Sequence, residues 1–194
     1  MGHGLRSAVG QRGLRRRGAR VPERAVPGRR GLTSIAVIAD THMPRGSRRL
    51  PAECVRRLEV ADVILHAGDF VAAGVLKELS RFADVEAVAG NMDEPALRTT
   101  LPERRVVEVG GARIGMVHVP GPAAGRGERL AAAFPGCQAV VYGHTHLPDV
   151  SQLGPVWILN PGSPTERRGS PVRSMLVLEV EAGEIRPELV TLSA

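Results

Sequence analysis

Ser34-Ile35-Ala36-Val37-Ile38-Ala39-Asp40-Thr41-His42 is the stretch on which the reading of this chain turns. A short apolar run bounded by polar residues is the pattern of a strand buried on both faces. This one delivers a carboxylate and an imidazole where the run stops. The pattern returns at Asp62-Val63-Ile64-Leu65-His66, closed by Ala67-Gly68-Asp69, and again at Val85–Ala89, closed by Gly90-Asn91. Between these runs, Pro51–Leu58 and Ala72–Phe82 have helical spacing, the second with Val75, Leu76, Leu79 and Phe82 on one face. A strand–helix–strand–helix–strand rhythm predicts parallel strands joined by crossover helices, hence an α/β fold.

The second half reads differently. Arg105–Val109 and Arg113–His118 flank Gly110-Gly111, a pair suited to a hairpin turn. Glu128–Phe134 is predicted helical, and Gln138–Tyr142 is a further buried strand closed by Gly143-His144. Val156–Leu159 runs into Asn160-Pro161-Gly162, and the strands Ser174–Val180 and Ile185–Thr191 are parted by the turn Glu181–Glu184. The mixture predicts two packed sheets with helices outside.

Composition narrows the function classes. At 194 residues, 43% hydrophobic and 24% charged, the chain suits one soluble domain. Residues 1–31 contain nine arginines and one acid, a charge of +8 in a chain of +6, so residues 32–194 come to −2. The basic pI of about 10.8 therefore belongs to the N-terminal segment. Residues 1–31 are expected to be a disordered basic extension, because they hold too little apolar surface to offset their ordering entropy. Residues 32–194 are expected to form the domain. Nucleic acid is not an expected partner except through that segment. Cys54 and Cys137 make no disulfide framework, and no apolar run is long enough to span a bilayer, so a cytoplasmic protein without a membrane partner is expected. Homo-oligomerisation is left open.

The chemistry lies at the strand ends: Asp40-Thr41-His42, Asp69, Asn91, His118 and His144-Thr145-His146. Ligands of α/β sheets gather at the carboxyl edge of the strands. In an extended chain, residues two apart point the same way, so Asp40 with His42 and His144 with His146 are each expected to aim at one place. Three carboxylate or amide groups and four imidazoles exceed what one ion takes. Two ions about 3.5–4 Å apart sharing a bridging carboxylate would use them all. Oxygen and imidazole donors without thiolate suit Mn best, with Fe, Zn, Ni or Co as further possibilities.

With these motifs in order, and with Met92-Asp93 after Asn91 and Asn160-Pro161-Gly162-Ser163 beyond, residues 33–192 resemble the calcineurin-like metallophosphoesterases, in particular their small bacterial and archaeal phosphodiesterase branch. The resemblance implies a four-layer αββα sandwich with a dinuclear site on one edge. It implies that Asp40, His42 and His146 hold one metal, that Asn91, His118 and His144 hold the other, and that Asp69 bridges. It implies hydrolysis of a phosphate ester, a diester above all, by hydroxide formed between the two ions. Asp69, Asn91, His118 and Asp93 would be the reacting groups. Asn160, Gly162 and Ser163 would contact a small phosphate-ester substrate. Two departures stand out: many family members have His where this chain has Met92, and His118 is followed by Val119-Pro120-Gly121 rather than directly by Gly. A relative of the branch, the eukaryotic retromer subunit, serves as a scaffold, so a binding module on the same fold is the competing reading. A nuclease using the basic segment is a third.

Overall fold

The computed structural model describes residues 21–26 and 31–193. In chain order the strands are β1 (Glu23–Ala25), β2 (Thr33–Ile38), β3 (Val63–His66), β4 (Asp84–Ala87), β5 (Arg104–Val109), β6 (Ala112–Val117), β7 (Ala139–Tyr142), β8 (Asp149–Leu153), β9 (Val156–Asn160), β10 (Arg173–Glu181) and β11 (Glu184–Leu192). The helices are α1 (Ala52–Val60), α2 (Ala73–Leu79), α3 (Pro95–Thr100) and α4 (Arg126–Ala133). One sheet runs β11-β10-β2-β3-β4 and the other β1-β5-β6-β7-β9-β8.

Alternation along each strand sorts side chains into layers. In β2, Ile35 and Val37 join Leu65, Ile114, Met116, Val141 and Leu178 in a core between the sheets. Their neighbours Ala36 and Ile38 face the other way, onto Cys54 and Leu58 of α1, Val75 and Leu79 of α2, and Leu97 of α3. On the far side, Val140, Tyr142 and Ile158 pack under Leu130 of α4 and Phe134. The result is the four-layer αββα sandwich. Each large aliphatic side chain withdrawn from water in these three clusters contributes about 1.5–3 kcal/mol. No described helix is long and apolar enough to cross a membrane.

β2, β3 and β4 are parallel, with α1 and α2 as crossovers, so their carboxyl ends share one edge. β6, β7 and β9 are parallel in the second sheet and end at the same face of the molecule. The hairpin β5–β6 turns at Gly110 and Gly111, whose φ angles of 59° and 82° lie in the left-handed region such turns require.

The structure corrects the N-terminal boundary. Part of the segment expected to be disordered is a strand: β1 pairs in parallel with β5, Val26 is buried, and the Val26 amide donates to Glu108 O at 2.8 Å. Arg24 joins Arg105 on the carboxylate of Glu86, which is 1% exposed. Three residues with no apolar alternation give no strand signal in sequence; the strand is made by β5's open edge and by the buried acid. The rest of the expected extension, residues 1–20 and 27–30, lies outside the described residues.

Candidate metal centre

Five of the seven expected ligands sit in left-handed backbone: φ is 55° at Asp40, 45° at His42, 62° at Asp69, 71° at His144 and 59° at His146. The two Asp/His-x-His pairs therefore do not converge as extended chain, which corrects the geometric expectation. Each makes two left-handed steps around a threonine. Asp and His tolerate this region better than most residues with a Cβ. Holding several such residues requires the surroundings to over-determine them. Here they do. The Asp40 amide donates to Gly68 O at 2.9 Å and the His42 amide to Asp69 O at 3.0 Å, which locks the ends of β2 and β3 together.

The seven side chains meet at the shared strand edge. His42 Nε2 and His146 Nε2 face each other at 3.2 Å, and Asp40 Oδ1 is 3.4 Å from His146 Nε2. Beside them, His118 Nε2 and His144 Nδ1 converge on Asn91 Oδ1 at 3.0 and 2.9 Å. Asp69 stands between the two groups, with Oδ2 3.6 Å from His42 Nε2 and Oδ1 3.3 Å from His118 Nε2. The ligand atoms of Asp40, His42 and His146 lie within 4.8 Å of one another, as do those of Asp40, Asp69 and His118.

The donor set fits divalent cations. Two metal–nitrogen bonds of about 2.1 Å meeting near a right angle hold their nitrogens about 3 Å apart, close to the His42–His146 separation. Asp40 Oδ1 is buried without a hydrogen-bond partner, a costly arrangement for a carboxylate unless a cation completes it. His118 Nδ1 donates to Ala67 O at 2.7 Å, which fixes the ring so that Nε2 faces Asp69 and Asn91.

The charges are tightly coupled. Burial raises the Asp40 carboxyl to about 7, against the pull of His118. Burial lowers His146 to about 4, reinforced by neighbouring His42, and lowers His42 and His144 as well. Burial opposes charge on His118, but its hydrogen bond to Asp69 and the charges of Asp40 and Asp69 outweigh that and raise it. Burial likewise acts to raise Asp69, yet the His118 hydrogen bond and charge, the Met92 amide and His42 hold it below the usual carboxylate range. Neutral His42, His144 and His146 beside an ionised Asp69 form a ready set of lone pairs.

Four expected site residues take other roles. Asp93 was expected among the reacting groups, but both its oxygens are engaged: Oδ1 accepts from the Val71 amide at 2.8 Å and Oδ2 from the Gly90 amide at 2.7 Å. It braces Val71, a β-branched residue at φ 85°, and the turn that presents Asn91. Asn160, Gly162 and Ser163 are buried and do not line the opening. Asn160 Nδ2 donates to Gly143 O and Thr145 Oγ1 at 3.2 and 3.0 Å, fixing the segment that carries His144 and His146. Asn160 Oδ1 accepts from the Gly162 amide at 2.8 Å. Ser163 Oγ donates to Asp40 O at 2.7 Å, and Thr165 Oγ1 donates to Thr41 O at 2.7 Å. This loop is the mould for the ligand turns. His66, the last residue of β3, accepts the Gly68 amide on Nδ1 at 3.2 Å, so its Nε2–H is directed at Thr41 Oγ1, also at 3.2 Å. Full burial holds it well below the ordinary imidazole range. Met92, 38% exposed, stands at the rim.

Sequence reasoning missed Glu166. Its Oε2 lies 4.0 Å from His146 Nδ1, and both atoms are buried without another partner. Arg48 and Arg168 hold the other oxygen at 3.2 and 3.8 Å. A carboxylate behind a ligating imidazole sets its tautomer and raises its basicity. Glu166→Ala is expected to weaken divalent-metal binding about 10–100-fold, while Glu166→Gln keeps most of it. Metal titration by calorimetry checks this, and equal affinities for wild type and Glu166→Ala would remove the assignment. The only sequence signal was an acid three residues beyond the turn Asn160–Ser163.

Comparison with known proteins gives the family. The calcineurin-like phosphoesterase superfamily domain matches residues 34–183, and the chain belongs to that superfamily. It is 34% identical over 164 residues to a probable metallophosphoesterase of Methanothermobacter thermautotrophicus, covering 82% of this chain and 93% of the relative. It is 35% identical over 157 residues to a probable metallophosphoesterase of Methanocaldococcus jannaschii, covering 78% of each. Among solved structures, a Thermotoga maritima protein determined by NMR is 35% identical with a TM-score of 0.66, covering 82% of this chain and 99% of that one. Vps29 of Entamoeba histolytica in complex with zinc shares the fold, with a TM-score of 0.65 at 24% identity, covering 83% of this chain and all of that one.

Proposed function

We propose that this chain is a phosphodiesterase working on a small phosphate ester with two divalent cations, manganese first among them. The observation that carries the reading is the Asp69 carboxylate, which turns one oxygen to each of two ligand groups at 3.6 and 3.3 Å. When bound, such a pair of ions lowers the pKa of a water and draws charge from phosphoryl oxygens. The chain's own contribution is positional. Asp40, His42 and His146 are buried and make one half of the cradle rigid. Asn91 and His144 are exposed and face the opening, so the phosphate arrives on their side. Asn91 is neutral, and its carboxamide can meet a phosphoryl oxygen without repelling it. The thioether of Met92 donates no proton, which favours esters with an acidic leaving alcohol. Cys54 and Cys137 are both free and buried, as suits a reducing cytoplasm.

The test is a panel of phosphomonoesters, phosphodiesters and cyclic nucleotides offered to purified full-length protein with Mn²⁺, Fe²⁺, Zn²⁺, Ni²⁺ or Co²⁺. Turnover of an aryl phosphodiester that a chelator abolishes and Mn²⁺ restores is expected. Faster turnover of monoesters would overturn the diester reading. Absence of bound metal and of turnover across the panel would favour a scaffold on the same fold.

A further inference from the structure

A cavity of about 610 Å³ opens beside the metal centre on its Asn91 and His118 side. Its floor is the sheet edge at Gly90, Asn91 and His118, and its walls come from α3 and the start of β5. The walls carry Arg98, Thr99, Glu103 and Arg104. Both arginines are exposed, and among the described residues neither guanidinium has an ion-pair or hydrogen-bond partner. The arginines on the opposite side behave otherwise, since Arg48 and Arg168 are tied to Glu166. Arg104 is cross-strand partner to Val117, the residue before His118, which puts its backbone next to a candidate ligand. Arg98 lies one turn into α3, just beyond Asn91.

Two unpaired guanidiniums at the rim of a phosphate site bind a second anion, and planar forked donors suit phosphate in particular. Glu103 offers an acceptor for a hydroxyl. Thr99 Oγ1, which already donates to Pro95 O at 2.8 Å, has a lone pair to spare. Apart from His118 the lining contains no aromatic ring, so nothing there stacks on a nucleobase. The volume suits a small organic arm. Resting on the phosphodiesterase reading above, we propose that the substrate is a phosphodiester whose second alcohol is a phosphorylated polyol or sugar. Its terminal phosphate lies on Arg98 and Arg104, and its hydroxyls face Thr99 and Glu103.

The experiment compares the affinity of 1,3-propanediol bisphosphate with that of propyl phosphate on Mn²⁺-loaded full-length protein by calorimetry. The wild type is expected to bind the bisphosphate about 10-fold more tightly or better, and added salt should shrink the advantage. In Arg98→Ala/Arg104→Ala the ratio falls to near one. In Arg81→Ala/Arg186→Ala, which removes two exposed arginines outside the cavity, it persists. A wild-type ratio near one, or a ratio lost equally in both double variants, overturns the proposal. An aryl-phosphodiesterase assay on the same samples separates the two readings: no turnover with an intact binding ratio sinks the hydrolytic function and leaves the anion site standing.

Discussion

Asp69→Ala is expected to reduce hydrolysis of an aryl phosphodiester to well below a tenth of the wild-type rate with Mn²⁺ supplied, a loss of at least about 100-fold. The reason is that the Asp69 carboxylate turns one oxygen to an imidazole of each half of the centre. Asp69 Oδ1 is 3.3 Å from His118 Nε2 and accepts the Met92 amide at 2.7 Å, while Oδ2 looks toward His42. Removing it takes away the one carboxylate whose two oxygens face His42 and His118. It also leaves the imidazoles without the charge that balances two cations. The fold should survive, because the backbone carbonyl of Asp69 still accepts from His42 and the core beneath is untouched. Bound metal should therefore fall from two equivalents toward one or fewer, while the circular dichroism spectrum stays native. Activity above a tenth of wild type in a folded Asp69→Ala protein would contradict the bridging role. Asp69→Asn should show most of the same loss, since an amide keeps the shape but not the charge.

Much of this centre was legible in the sequence because each ligand ends an apolar run. Buried parallel strands need continuous hydrophobic residues, and the first polar residue beyond each run must emerge at the carboxyl edge. Asp40, Asp69, Asn91, His118 and His144 were found in this way. What was not legible is how the ligands point. Strand alternation suggested extended pairs, yet Asp40, His42, His144 and His146 adopt positive φ. That conformation is imposed from outside, by Ser163 on Asp40 O, Thr165 on Thr41 O and Asn160 on Gly143 O. The turn Asn160–Ser163, expected from the resemblance to contact substrate, is instead buried beneath the ligand turns it braces. Glu166 escaped notice for the same reason, because its function depends on a long-range contact with His146. Three elements were missed outright. β1 and α3 are too short to show a period. β8 is an edge strand with four of its five residues exposed, so its sequence carries no buried face.

Gly90→Ala is expected to damage the protein nearly as much as loss of Asp69, although Gly90 bears no ligand. A Cβ at residue 90 would lie 2.1 Å from Asp69 N, 2.1 Å from Asp69 Oδ1 and 2.8 Å from Asp69 Cα. Two of those atoms are backbone, so no rotamer change relieves the overlap. The chain on Gly90's own side has little slack, since its amide is held by Asp93 Oδ2 at 2.7 Å and Asn91 follows directly. The added methyl must push Asp69 and Asn91 apart by about an ångström, and a misplacement of that size costs about 100-fold in rate. Overpacking against backbone also lowers stability by about 1–3 kcal/mol. Gly74→Ala is the matched control: it lies in α2 with nothing within 4 Å of the new methyl, and Ala in a helix gains about 0.5–1 kcal/mol over Gly. The expected pattern is a Gly74→Ala protein with a slightly raised Tm and full metal content. Gly90→Ala should show a lowered Tm, bound metal reduced to one equivalent or less, and turnover down about 100-fold. Thermal melts, metal analysis and the aryl-phosphodiester assay read all three. A Gly90→Ala protein with wild-type metal content and rate would mean that Asp69 is not wedged against the Asn91 turn, and the two halves of the centre would have to be joined in some other way.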